Sequence, residues 1–273
     1  MLSATRSAER AAESGRPLPE VPALYGLYHS EFKCRPRRGQ VTMIFGQPAS
    51  QKSGFALWWT AQMNLPTLYF SADMAQHTAI TRLGAILTGE TVDQVSSGLE
   101  SIEANRYVET LVDSNLRFCF DPDPTPGTIT EELEAWVEMW DSFPEVIVID
   151  NLMDMNVDSD SELMANKQMM LYAKSLARDT GAAIFILHHA SENSSDPTEP
   201  APRRAVMNKV SQSPEAILSV ALGYQPGEFK IGVVKYRSGK CDPTGRTYVT
   251  LRCEPEYAQF YPSRTYHQKG SEG

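Results

Sequence analysis

The sequence predicts an α/β fold: a twisted, mainly parallel sheet flanked by helices, extended near its C-terminal end by antiparallel strands. Between residues 41 and 187, short apolar runs of strand length alternate with stretches of helical period, the pattern of right-handed βαβ units. After Leu187 three further strand-like runs follow one another without an intervening helix, as hairpins do. The 273 residues suit one large α/β domain with a short arm.

Residues 1–34 are expected as an N-terminal arm or linker outside the core. Residues 1–22 of it are polar and rich in Ala, Arg, Glu and Pro. Ser3 to Ser14 reads as a short helix, stopped by Gly15, Pro17, Pro19 and Pro22, or as unstructured chain. The core is expected over residues 35–262. Val41–Phe45 is its first strand, followed by a loop over 46–51 and a helix from Lys52 to about Met63. Thr67–Ser71 is a second strand, with a helix from about Ala75 to Leu87. Leu116–Phe120 is a third strand, and Thr130 precedes an amphipathic helix that ends near Asp141. Val146–Ile149 is a fourth strand ending at Asp150. Ser161 can cap a helix through Asp179 that Gly181 terminates. Ala183–Leu187 is the fifth strand. A polar loop spans 191–202, and strands are expected near Ile217–Leu222, Phe229–Tyr236 and Thr247–Cys253. Residues 263–273 are expected as a flexible tail.

A net charge of -9 counts against phosphate binding over the whole surface, but it permits a local basic channel. Cys34, Cys119, Cys241 and Cys253 form no CxxC pair, so free thiols in a reducing cytoplasm are expected. No apolar run approaches the ~20 residues of a membrane span, and the N-terminus lacks the apolar stretch of a secretory signal.

Gly46-Gln47-Pro48-Ala49-Ser50-Gln51-Lys52-Ser53 nearly fits the phosphate-binding pattern GxxxxGK[ST], with the required strand before it and helix after it. A loop opening onto a helix N-terminus offers free N–H groups to phosphate oxygens. Residues 46–54, Gly54 included, are therefore the candidate ATP-binding segment. Lys52 is expected at the β/γ-phosphates, and the Ser53 hydroxyl on Mg²⁺. Gln51 stands where the pattern has its second glycine. Val146-Ile-Val-Ile-Asp150 is an apolar strand ending in an acid. Ligands of open α/β sheets lie at the carboxyl ends of the strands, so Asp150 is the second candidate for Mg²⁺. Asp73, just past another strand end, can orient an attacking water or cap the next helix.

This set of motifs resembles the RecA superfamily and, within it, the DnaB-like helicases. The resemblance covers about Arg35 to Glu254. It implies that Asp73, in Ser71-Ala-Asp73-Met74, takes the place of a catalytic glutamate, one methylene shorter. In Leu187-His188-His189 it implies a polar sensor at His189. In Lys235-Tyr-Arg237-Ser-Gly239 it implies Lys235 and Arg237 reaching the nucleotide of a neighbouring subunit. A hexameric ring is expected on the same ground. The loops facing DNA in that family correspond to about 156–167, which is acidic here, and 191–210, which ends in Arg203, Arg204 and Lys209. Those three are the candidate DNA contacts. A compact core without the primase-binding helical domain resembles stand-alone proteins encoded by phages, working in the host cytoplasm. Three functions stay open: a DNA helicase or translocase, a non-motor ATP-binding module that loads partners on DNA, and a metal-dependent nuclease using Asp150, Asp154, Asp158 and Asp160.

Overall fold

The computed structural model describes residues 12, 15–159, 161–191 and 196–268; for residues 264–268 it describes the backbone only. The helix expected over Ser3–Ser14 thus falls almost wholly outside the described residues. Among the described residues nine strands form one sheet in the order β3-β2-β4-β5-β1-β6-β7-β8-β9. They are β1 (Val41–Gly46), β2 (Thr67–Ser71), β3 (Leu116–Cys119), β4 (Val146–Asp150), β5 (Ala183–His189), β6 (Ala216–Leu222), β7 (Glu228–Tyr236), β8 (Thr247–Glu254) and β9 (Gln259–Gln268). Pairing is parallel from β3 through β6 and antiparallel from β6 to β9. The helices are α1 (Tyr25–His29), α2 (Lys52–Met63), α3 (Gln76–Thr88), α4 (Val92–Leu99), α5 (Ala104–Val112), α6 (Pro126–Trp140) and α7 (Glu162–Thr180).

The parallel strands are covered on both sides. In β1, Val41, Met43 and Phe45 enter one core and Ile44 the other; in β4, Ile147 and Ile149 face one core and Val146 and Val148 the opposite one. Alternate side chains of a strand point to opposite faces, so an unbroken apolar run is what two helical layers require. The first core holds Phe55, Trp58 and Trp59 of α2, together with the aromatic rings of Phe229 and Phe260. The second holds α6 and α7.

Four boundaries differ from the sequence expectation. The N-terminal stretch is not an arm from residue 17 onward: Leu18, Val21, Leu24, Leu27, Tyr28, Phe32 and Cys34 are buried in the first core, because their spacing lays apolar side chains against β8 and β9. The helix expected after Thr130 begins at Pro126. Thr125 and Thr128 form a reciprocal capping box there, and Pro126 fills the first turn, where its missing N–H costs nothing. The sequence reading has no counterpart to α4 and α5, which are short and half-exposed. Tyr107 of α5 packs against Gly98 of α4, where a Cβ would run into its ring. The stretch expected as a tail from 263 is strand through Gln268, paired with β8; residues 269–273 lie outside the described ones. No helix among the described residues is long and apolar enough to cross a membrane.

Candidate functional site

The strand order places the carboxyl ends of β2, β4, β5 and β1 side by side. Ser71 pairs with Asp150, and Gly46 with His189. The loop after β1 turns sharply into α2. Ala49 (φ 62°) and Gln51 (φ 62°, ψ 21°) both take the left-handed conformation, which costs a non-glycine residue on the order of 1 kcal/mol. Gln51 thus holds a left-handed backbone of the kind that glycine adopts without steric cost. Its Oε1 lies where a Cβ on Gly54 would meet it at 3.0 Å. Gly46 has no room for a side chain: a Cβ would lie 2.5 Å from Ser50 Oγ and 2.6 Å from the Val220 carbonyl.

Lys52 is the first residue of α2 and is 5% exposed, so it belongs to the floor of the site rather than to a free surface loop. Its Nζ is 3.4 Å from His189 Nδ1. Ser53 Oγ donates to Asp150 Oδ1 at 3.1 Å, and Tyr69 OH donates to Asp150 Oδ2 at 3.0 Å. The Asp150 carbonyl accepts from Ala72 N at 2.9 Å and Asp73 N at 3.4 Å, which sets Asp73 beside the Lys52 loop. Asp73 is exposed and does not cap α3; the N-cap is Ala75, without a side-chain bond.

Two residues of this site went unread in the sequence. Tyr69 is one, and Asn151 is the other. Asn151 Oδ1 accepts from Met153 N at 2.7 Å, which turns its Nδ2 toward His189 Nε2 at 3.3 Å. His189 therefore meets a donor at each ring nitrogen, while a neutral imidazole accepts at only one. Withdrawal of Lys52 from the ring would remove this conflict. Burial, and then the Lys52 charge, lower the His189 pKa and hold the ring neutral. Strand alternation sends His188 to the opposite face. There its ring meets the Met207 carbonyl at 3.0 Å, and burial pushes its pKa down to about 4.

Burial raises the Asp150 carboxyl to about 6 despite the bonds from Tyr69 and Ser53; Asp73 adds to the rise and Lys52 opposes it. Burial likewise lowers the Lys52 ammonium, against Asp150, Asp73 and Asp154. The site is thus charged at a desolvation cost. The donor set fits Mg²⁺ bound to a nucleotide: a hydroxyl and a carboxylate 3.1 Å apart, beside a loop in which Ser50 Oγ is buried without a partner. Among the described residues no three His, Cys, Asp or Glu side chains form a metal cage, so such an ion has to draw its remaining ligands from phosphate oxygens and water. The carboxylate set weighed for a nuclease accordingly does not converge, and Asp160 lies outside the described residues.

The raised value gives a signed expectation. The folded carboxyl binds its proton more tightly than an unfolded aspartate, with a pKa near 4. Its contribution is therefore fully present below about pH 4 and lost as pH rises through about 6. Without nucleotide, Asp150→Asn is expected to be more stable than the parent at pH 8 by on the order of 1–3 kcal/mol. The gap should close at pH 4. Thermal unfolding at both pH values measures it; a variant less stable at pH 8 would show that the carboxylate's bonds outweigh its desolvation.

Lys235 and Arg237 lie elsewhere. Lys235 is 7% exposed, and its Nζ donates to the Ser211 and Gln212 carbonyls at 2.9 and 2.7 Å. Burial, reinforced by Arg237 and Arg203, brings it down to about 8. Arg237 donates to the Gln212 carbonyl at 2.9 Å and faces Glu215 at 3.7 Å. Arg203 and Arg204 form one short turn, and Arg203 donates to the Ser211 carbonyl at 3.4 Å. Lys209 is exposed and left-handed, φ 52°.

Residues 34–195 match the family described as "AAA domain". The Gene 65 protein of Mycobacterium phage L5 is 30% identical over 246 residues, spanning 87% of this chain and 90% of that protein. The Gene 65 protein of Mycobacterium phage D29 is 29% identical over 219 residues, 77% and 94% of the two chains. A solved structure described as an ATPase domain superposes with a TM-score of 0.76 at 16% identity, over 95% of this chain and 96% of that one. A DnaB-like replicative helicase solved for its interactions with primase gives 0.74 at 15% identity, over 96% and 66%. The fold is that of the RecA/DnaB-like P-loop ATPases.

Proposed function

The chain belongs to the AAA domain family, and from that premise we propose that it is an ATP-hydrolysing ring protein of the RecA/DnaB type that acts on DNA. The observation that carries this is the meeting of Lys52, Ser53, Asp150, Asp73 and His189 at the carboxyl ends of four adjacent strands. In that arrangement residues 46–54 cradle the phosphates with main-chain N–H groups. Lys52 supplies a point charge at the β/γ-phosphates, and Ser53 with Asp150 holds Mg²⁺. When bound there, the ion would supply charge neutralisation for the phosphoryl group. Asp73 accepts the proton of the attacking water, and His189 reads the γ-phosphate.

The test is ATP turnover with and without single-stranded, duplex and forked DNA at stated salt. Stimulation by one of these is expected; Mg²⁺-dependent DNA cleavage without ATP would instead favour a nuclease. A second reading, a non-motor ATP-binding module that loads partners on DNA, is favoured by Gln51 at the glycine position and by the short acid at 73. Asp73→Ala separates the roles: it should keep nucleotide and slow hydrolysis by about 10²–10⁴-fold, the usual contribution of a positioned base. Asp73→Glu should speed it. Wild-type turnover in Asp73→Ala would remove Asp73 from the mechanism.

A further inference from the structure

At the end of the strands opposite the nucleotide site, the chain leaves an aromatic cavity open. Pro66, Asn115 and Ser142 lie near the amino ends of β2, β3 and β4. With Arg117, Trp136 and Trp140 they line a space of about 220 Å³. The two indoles are 4.3 Å apart and tilted by 46°. Trp136 Nε1 is buried with no acceptor among the described residues, which costs stability. Arg117 Nη1 donates to the Ser114 and Leu116 carbonyls, both at 2.8 Å, and its guanidinium lies 5.6 Å from the Trp140 ring centroid. Trp140 is thereby held at the surface, 40% exposed, beside Met139 at 71% and Phe143 at 46%. Three large apolar side chains within five residues of chain thus face solvent together, which marks a contact surface more often than chance exposure.

The charge beside this patch has one sign. Glu131, Glu134 and Glu138 of α6 are exposed, and their spacing of three and four residues puts them on one helix face. Asp141, also exposed, follows as the C-cap. The carboxyl end of a helix carries negative partial charge, so acids there are unfavourable and bases favourable. The last turn of α6 holds no base. Asp141 also takes the left-handed conformation, φ 51°, where a helix end usually has Gly or Asn. One helix end thus gathers exposed aromatic rings, an unpaired indole N–H and uncompensated acids. Each lowers the stability of the isolated chain, and departures of this kind gather at functional sites.

We propose that this end of α6 docks a basic segment of another protein, with one large apolar side chain of that segment in the cavity and its Lys and Arg residues along the acids of α6. The cavity is smaller than the ~300 Å³ at which small-molecule sites begin, and it suits a single side chain. Tryptophan walls around such an anchor are the usual centre of a protein contact. A main-chain carbonyl of the docked segment supplies the acceptor that Trp136 Nε1 lacks. Bases of the segment meet Glu131, Glu134 and Glu138, and one near Asp141 also meets the negative end of the helix. Docking here leaves the nucleotide site at the other end of the strands free.

The experiment pans a displayed library of random peptides on the full chain and removes every binder that also binds Trp140→Ala. The survivors should join one large apolar residue to several Lys or Arg. Fluorescence anisotropy of the most enriched peptide then measures the contacts. Trp140→Ala should bind it at least ~10-fold more weakly, the scale of a central anchor. Trp136→Phe keeps the ring, removes the N–H and should weaken binding by ~2–10-fold. Glu134→Gln combined with Glu138→Gln should weaken it several-fold and flatten its salt dependence. Without peptide, Glu138→Gln should raise the thermal midpoint by about 1–3 °C. Met139→Ser, at a side chain 71% exposed, gives the same test where Trp140→Ala does not fold. A library in which every binder also binds Trp140→Ala overturns the docking site, and so do survivors that carry acids in place of bases. Trp140→Ala should keep the parent's ATP turnover and its sedimentation. Loss of either in a folded variant overturns the docking role in favour of a contact between copies of this chain.

Discussion

Arg237→Ala is expected to bind nucleotide normally and to lose ATP turnover by about 10³–10⁵-fold, the range of an arginine finger. The strand register gives the reason. Lys235 pairs with Ile217, and Ile217 with Met43. Arg237 N donates to the Glu215 carbonyl, and Glu215 N to the Val41 carbonyl. Arg237 thus stands at the amino-terminal end of β1, while the phosphate loop starts at Gly46, five residues further along. At ~3.3 Å per residue that is about 16 Å away, at the opposite end of the strands. In the proposed ring, Arg237 is therefore placed to serve a neighbour's nucleotide rather than its own. Its present contacts, Gln212 and Glu215, form at a half-exposed surface, where an ion pair contributes ~0–1 kcal/mol, so release costs little. Lys235, doubly bonded and buried, is an anchor for the chain at 211–212 rather than a second free finger. Mixing Arg237→Ala with Lys52→Ala subunits should restore partial turnover, because some interfaces then join an intact loop to an intact finger. A monomer with full ATPase activity, or no rescue despite demonstrated subunit exchange, would count against the trans arrangement.

Lys52→Ala should weaken nucleotide binding by ~2–5 kcal/mol, roughly 30-fold to several thousand-fold, the scale for removing one partner of a desolvated charge pair. The ammonium is buried at the floor of the site with Asp150, Asp73 and Asp154 as its compensating charges. Among the described residues its side-chain partner is the His189 ring, so it is available to a phosphate. Since Lys52 carries a desolvation cost, its loss should not unfold the protein. Lys52→Met keeps the apolar stem and controls for packing. Titration of a fluorescent nucleotide into the parent and both variants measures the effect; parental affinity in a homogeneous preparation of both variants would end the phosphate-loop assignment.

The elements nearest the loop were legible because their signals are local. A strand of apolar residues, a turn and a helix over 41–63 need no distant contact to be read, and neither does Ser161 capping a helix that Gly181 ends. Asp150 was legible for the same reason: it ends an apolar strand, and in a parallel sheet strand ends meet on one side. His189 was named only through the family resemblance, since the strand before it was expected to end at Leu187 and is observed through His189. What failed had no strong period. α4 and α5 depend on packing such as Tyr107 over Gly98, and β9 depends on β8 as its partner. Residues 17–34 are half apolar in composition and bury the seven side chains named above; it is the polar stretch before them that carried the arm reading too far along the chain.

The sequence by itself thus determined the loop between β1 and α2, the lysine and hydroxyl that open α2, the acid on β4 and the alternating order of elements, since period and turn chemistry act over a few residues. Only the tertiary structure decided which groups complete them. Tyr69 reaches Asp150 because β2 lies beside β4, and Asn151 meets His189 because β4 lies beside β5. Arg246 joins Arg203 and Arg204 because a turn more than forty residues away presses on Pro200 through Gly245. Contacts of this kind depend on strand order and register, which the burial of both sheet faces selects for the whole chain at once and which no short window of residues encodes.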